Sequence, residues 1–209
     1  MPSVITIDHP VIRTKLTELR DFSADHREFR TVLEEVAMLM TYEVTREMPT
    51  RSRPVQTPLE KTSGYVLARP VTLVPVLRAG LGMTSGVMRV LTDVRVGHLG
   101  LRRDETTLEP IAYYQKLPPD IGDTEVIVVD PMLATGGSAT AAIHYLKRHG
   151  VAGGAMKFMC LVAAPEGIRH LHEHHPDVPI YTAAIDRELN EKAFILPGLG
   201  DAGDRIFGT

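Results

Sequence analysis

Residues 126–150, VIVVDPMLATGGSATAAIHYLKRHG, pass from four apolar β-formers to an acid, then to a glycine-paired loop of small hydroxyl residues, then to a helix. That order sets Asp130 at a strand tip. It also aims several backbone N–H groups, and the positive end of a helix running from about Ala139 to His149, at one small volume. Such a volume suits a phosphate. Thr135, Ser138 and Thr140 offer hydroxyl donors, while Gly136 and Gly137 permit close backbone approach and unusual φ values. A capped strand-to-helix turn would account for the glycines, but it leaves Asp130 unexplained. No Gly-Lys-Ser/Thr follows, so the loop is not a Walker loop, and without G-x-G-x-x-G it is not a dinucleotide fingerprint. An acid beside a phosphate cradle fits a ligand carrying hydroxyls next to its phosphate, a ribose 5-phosphate.

The elements that must position this loop read as a layered α/β fold. VTLVPVL at 71–77, VRVGHLGLR at 94–102, TEVIVVD at 124–130, KFMCLVAA at 157–164 and PIYTAAI at 179–185 are short runs rich in Val, Ile and Leu. Strands buried on both faces read this way, which predicts a mainly parallel sheet flanked by helices. Phe29, Val32, Leu33, Val36, Leu39, Met40 and Val44 recur at three- and four-residue spacing after a polar start at 23–25, predicting an amphipathic packing helix. Open sheets of this kind bind ligands beyond the carboxyl ends of their strands. RDETTLEPIAYYQKLPPDIGD interrupts the pattern as a charged and aromatic insert long enough to act as a lid or to form its own hairpin.

Composition bounds the rest. A chain of 209 residues suffices for one full-sized domain, spanning 1–209 with the insert at about 103–118. A net charge of −3 provides no basic field for nucleic acid, and no run of eighteen apolar residues could span a membrane. The charged N-terminal stretch does not read as a signal segment, and one cysteine cannot form an internal disulfide, so a cytoplasmic protein is expected.

VVDPMLATGGSA resembles the phosphoribosyl pyrophosphate (PRPP) loop of the type I phosphoribosyltransferases, in the form found in the uracil-specific family. PVLRAGLGM at 75–83 is similar to that family's pyrophosphate-side loop, RDETTLEPIAYYQKLP to its hood, and ILPGLGDAGDRIFGT at 195–209 to its C-terminal base-binding segment. The likeness runs from HPVIRTKL to the last residue. It implies a type I phosphoribosyltransferase fold with a hood and a base-binding tail, and transfer of the phosphoribosyl group from PRPP to uracil, giving UMP and diphosphate. Asp130 would accept hydrogen bonds from the ribose hydroxyls. Pro131, Met132, Leu133, Ala134, Thr135, Gly136, Gly137 and Ser138 would line the 5-phosphate. Arg78 and Arg103 would grip pyrophosphate oxygens with their guanidinium forks, with Arg102 competing for the second role. Ile195, Gly200, Asp201 and Ala202 would face the base. Many relatives carry two adjacent acids at the strand tip. Here the second position is Pro131, so no direct metal ligation is expected from the loop; Mg2+ would arrive through PRPP, with Asp201 near it. The resemblance also implies a homo-oligomer and leaves activation by GTP open.

Two other classes of function are weaker. An effector sensor binding RNA or DNA would show a basic surface or an added module, and this chain shows neither. A relative acting on a purine or on orotate disagrees with the tail. HLHEHHPD at 170–177 reads as the solvated end of a helix without strong zinc spacing, and Cys160 as a core thiol. Met38, Met40, Met83 and Met88 read as core and interface filler, and Tyr113 and Tyr114 as either subunit contacts or a lid.

Overall fold

The computed structural model describes residues 4–103 and 110–209, with the side chains of all of these except 102, 103 and 110–112. In chain order the elements are β1 (Val4–Thr6), α1 (Pro10–Arg20), α2 (His26–Val44), β2 (Thr50–Gln56), β3 (Lys61–Leu67), β4 (Val71–Leu77), α3 (Leu81–Val90), β5 (Arg95–Val96), β6 (His98–Arg103) and β7 (Pro110–Lys116). They continue with β8 (Glu125–Val129), β9 (Met132–Leu133), α4 (Gly137–Arg148), β10 (Met156–Ala163), α5 (Pro165–His174), β11 (Ile180–Ile185), β12 (Glu188–Leu189), β13 (Ile195–Leu196) and α6 (Ala202–Phe207).

The central sheet runs β1-β11-β10-β8-β4-β6-β7, with β5 beside β4 and β9 beside β10. Every pairing in it is parallel except β6 with β7. All of β8 and β10, and six of the seven residues of β4, are buried, as strands covered on both faces must be. One face packs under α1, α2 and α3 through Leu16, Leu19, Phe29, Leu33, Met83 and Val87. The other packs under α4 and α5 through Ala142, Ile143, Leu146 and Leu171. Each such large side chain contributes about 1.5–3 kcal/mol by leaving water. From β4 the chain crosses to β6 on one side, whereas from β8 it crosses to β10 on the other. The crevice at the carboxyl ends of β4 and β8 is therefore a topological switch point, where sheets of this type take ligands.

The expected helix after 23–25 is α2. Its N-cap Asp25 accepts the Arg27 and Glu28 N–H groups, and the Glu28 carboxylate accepts the Asp25 N–H in return. The expected insert forms a hairpin of β6 and β7, whose connecting residues 104–109 lie outside the described residues. Tyr113 and Tyr114 lie on its outer strand, each about half exposed. The sequence reading missed α1 and the β2–β3 hairpin. In that hairpin seven residue pairs are in register, yet none of its residues is buried, so no apolar alternation marks it. Among the described residues no helix is long and apolar enough to cross a membrane.

Candidate active site

The strand tip and the loop after β4 meet at the switch point. Arg78 follows β4 directly, and the Leu77–Arg78 peptide is cis. Gly80 turns the chain back, its N–H donating to Val76 O at 2.9 Å. A Cβ on Gly80 would stand 2.5 Å from Val129 O, closer than any real side chain comes, so only glycine lets this loop lie on the end of β8. Arg78 thereby leaves β4 on the same side of the sheet as the end of β8, where Asp130 follows Val129. The Arg78 side chain is exposed, with the guanidinium carbon 5.5 Å from the centre of the Phe207 ring, a cation–π distance. Arg103 ends β6, but its side chain and that of Arg102 lie outside the described residues, as do the hood residues 104–109.

Beyond β8, Met132 and Leu133 pair with Val162 and Ala163, which ties the first half of the PRPP-like loop to the sheet. Gly136 then takes φ +83°, the left-handed conformation that glycine adopts without penalty, and α4 starts at Gly137. The unusual φ expected of both glycines thus belongs to Gly136 alone. The Gly137 N–H faces Thr135 Oγ1 at 3.4 Å, and Ser138 is exposed on the first turn. Thr140 departs from expectation. Its hydroxyl is shut off from solvent without a hydrogen-bond partner among the described residues, so it does not reach a ligand in this arrangement. Gly167, at the start of α5, went unnoticed in the sequence. A Cβ there would meet Ala134 O at 2.4 Å and Leu133 O at 2.7 Å, so the helix supports the loop backbone to backbone.

Asp130 sits among these groups with protein around it. Loss of solvation, opposed by the Met132 N–H 3.4 Å from Oδ1 and reinforced by the nearby Asp201 carboxylate, leaves its carboxyl pushed up to about 7. The tail reaches this region through Phe207, beside Arg78, and Ile206, packed against Gly82. Asp201 itself caps α6, its Oδ1 accepting the Asp204 N–H at 3.0 Å.

The tail is shaped by long-range contacts. In the β12–β13 pair, Phe194 O accepts from Asn190 N and Leu196 O from Arg187 N, both at 2.9 Å. Alternation along an antiparallel ladder then turns the backbone groups of Ile195 away from β12. The chain turns at Gly198 and Gly200, both with positive φ, after a cis Leu196–Pro197 bond. Buried Asp186 accepts the Gly198 N–H at 2.9 Å and both guanidinium nitrogens of Arg20 at 2.8 and 2.6 Å, while Arg20 also donates to Gly198 O at 2.7 Å. Arg205 lies over the Phe29 ring at 4.3 Å and donates to Leu19 O, Leu199 O and Asp21 O. Arg205 is thereby committed to the α1–α2 connection. Ile195 and Ala202 are buried, whereas Gly200 and Asp201 are exposed beside the crevice.

Asp130, Arg78 and the 131–138 loop thus lie at the carboxyl ends of β4 and β8, and the tail comes to the same end of the sheet through Phe207. A family model described as uracil phosphoribosyltransferase matches residues 5–209. A uracil phosphoribosyltransferase of Dictyoglomus turgidum is 56% identical over 207 residues, covering 99% of each chain. A solved protein of Aquifex aeolicus is 33% identical, with a TM-score of 0.91 over 99% of this chain and 98% of its own. A hypoxanthine-guanine phosphoribosyltransferase of Bacillus anthracis shares the fold alone, at 16% identity and a TM-score of 0.52 over 77% of this chain and 80% of its own. On the match across the whole chain and the identity to its relatives, the protein belongs to the uracil phosphoribosyltransferase family.

Proposed function

We propose that the protein transfers the 5-phosphoribosyl group from PRPP to uracil, forming the bond from uracil N1 to ribose C1, releasing diphosphate from C1 and giving up the N1 proton to solvent. The observation that carries this reading is the arrival of the C-terminal tail at the switch point, where the Phe207 ring lies beside Arg78. The departing diphosphate takes up negative charge as C1 becomes cation-like, so the chain's task is positioning and charge stabilisation, with no covalent nucleophile. The 131–138 loop holds the 5-phosphate through backbone N–H groups and the Thr135 and Ser138 hydroxyls. Asp130, ionised once ligand is in place, accepts the ribose hydroxyls. Arg78 leaves the Phe207 ring to grip pyrophosphate oxygens, and Arg103 is assigned the matching grip from the hood. Backbone groups of Ile195 and of Gly200, Asp201 and Ala202 read uracil.

The exposed Asp201 carboxylate is a hard oxygen donor of the kind that suits Mg2+ carried on substrate phosphates. The ion would enter with PRPP, beside Asp201, and neutralise charge on the leaving diphosphate. The exposed β2–β3 hairpin, with Leu59 and Tyr65 93% and 77% exposed, supports a homo-oligomer in which a second subunit covers it. The same reading places the reaction in the cytoplasm, a reducing compartment where the lone buried Cys160 needs no partner. Activation by GTP belongs to the same reading and is measured by adding GTP to the rate assay.

The test is competition between equimolar uracil, cytosine, hypoxanthine and orotate for PRPP, reading the nucleotides formed. Uracil offers acceptor, donor, acceptor along one edge and cytosine inverts the last two, so a backbone reader discriminates by about four orders of magnitude. UMP should dominate, and 5-fluorouracil should compete because its reading edge is intact. Comparable formation of cytidine or inosine monophosphate would show that residues 195–202 do not read the base.

A further inference from the structure

Helix α5 carries His170, Glu173 and His174, whose ligand-capable atoms all lie within 4.8 Å of one another. The spacing by four puts the two imidazoles on one face, one turn apart, with ring centres 4.5 Å apart and planes tilted by 42°. Glu173 and His174 are exposed and His170 is half-buried, so water and ions reach the group. The decisive detail is a proton position. His174 Nδ1 lies 2.8 Å from His170 O, and a carbonyl oxygen only accepts, so Nδ1 carries the proton and Nε2 keeps its lone pair. Metal-binding histidines are prepared in this way, with one ring nitrogen held by a carbonyl and the other free to ligate.

We infer that His170, Glu173 and His174 form a binding site for a borderline transition-metal cation such as Zn2+ or Ni2+, with water completing its coordination. Two imidazoles and a carboxylate select that class over Mg2+ and Ca2+, which prefer oxygen alone. Tetrahedral zinc with bonds of about 2.0–2.1 Å needs ligand atoms about 3.3–3.4 Å apart, a closing of at most about 1.4 Å that rotation of the Glu173 and His170 side chains supplies while His174 keeps its bond to the carbonyl. His172 takes no part: it projects from another face of the helix, and its Nε2 is sealed from solvent. The site is separate from the crevice yet adjoins its phosphate loop from outside. The His170 ring edge lies 3.1 Å from where a Cβ on Gly136 would stand.

The test is equilibrium dialysis of the full, tag-free, metal-depleted chain against ZnCl2, and separately against MgCl2. One equivalent of Zn2+ should bind, and Mg2+ should not compete for it. Loss of a direct ligand should weaken zinc by at least the roughly 10- to 100-fold that loss of an outer-shell partner costs, in His174→Ala and in His170→Ala alike. His144→Ala, which removes an exposed histidine of α4, should bind as the wild type does. His174 is exposed, so His174→Ala should keep its far-ultraviolet dichroism and the measurement stands on folded protein. Zinc affinity unchanged in both His170→Ala and His174→Ala, or lost only in His144→Ala, would overturn the assignment.

Discussion

Replacing Arg20 by alanine should loosen the base end of the site without touching the phosphate end. Arg20 is about a quarter exposed at its side chain and Asp186 only 5%, so the substitution leaves a nearly buried carboxylate holding the Gly198 N–H alone. Removing one partner of a buried pair costs about 3–5 kcal/mol, and the water that reaches Arg20 argues for the lower end, about 3 kcal/mol. For a chain of this length each kcal/mol lowers Tm by about 2–4 °C, giving an expected fall of about 6–12 °C. Arg20 also donates to Gly198 O, so both backbone groups of the turn lose support. With half of the loss felt at the turn, KM for uracil should rise by about tenfold, since 1.4 kcal/mol is a factor of ten. Thermal melts with and without PRPP, together with initial rates against uracil, measure both effects. Stabilisation by PRPP should persist, because the loop after β8 is held by β10 and α5. Arg20→Lys should recover only part of the loss, having a point charge where the fork made two bonds. A Tm within about 2 °C of the wild type, with uracil KM unchanged, would refute the assigned role of the Arg20–Asp186 pair.

Three further outcomes are expected. In the ligand-free protein Asp130 holds its proton up to about pH 7, whereas the unfolded chain releases it near 3.8. The folded state therefore binds more protons between those values, and this group's contribution, full below about pH 4, is lost as pH rises to about 7. Asp130→Asn escapes that loss, so its melting temperature should exceed the wild type's at pH 8 and approach it at pH 4, while UMP formation is abolished; parallel Tm curves across pH would contradict the shift. Gly136→Ala forces a side chain into the left-handed region, at about 1–2 kcal/mol, and to within 2.8 Å of Gly167 O, so PRPP should no longer raise its Tm. Arg78→Ala removes charge-assisted bonds worth about 1.5–3 kcal/mol each and should lower kcat/KM for PRPP by about 10- to 100-fold, with Lys a partial rescue; unchanged kinetics would exclude Arg78 from the site.

The parts legible in the sequence were those whose cause is local. Strands β4, β8 and β10 announce themselves because burial on both faces demands continuous apolar runs, and the Asp130 loop because a phosphate needs small residues in sequence. Gly136 could not be told from Gly137, since the φ each adopts depends on where α4 begins. The supports of the site were hidden for a different reason. Arg20 and Asp186 are 166 residues apart, and Arg205 reaches back 184 residues to Asp21, so nothing at either position marks its partner. Gly167 likewise reads as an ordinary helix glycine until the loop carbonyls above it are seen. The β2–β3 hairpin escaped because its order comes from its ladder, with little apolar burial to leave a trace.

A Cβ on Gly136 would meet the Gly167 carbonyl, and one on Gly167 would meet the carbonyls of Leu133 and Ala134, so the loop and α5 meet here largely as main chain. In evolutionary terms this is a locked pair. A side chain at either position strikes a carbonyl of the main chain, which no compensating substitution can trim. A mutational library across α5 should therefore tolerate variety along its outer face and reject nearly everything at position 167. For the engineer who wants a roomier phosphate pocket, the route is to shift the whole of α5 by remodelling its far end, because the contact itself offers no smaller residue to choose.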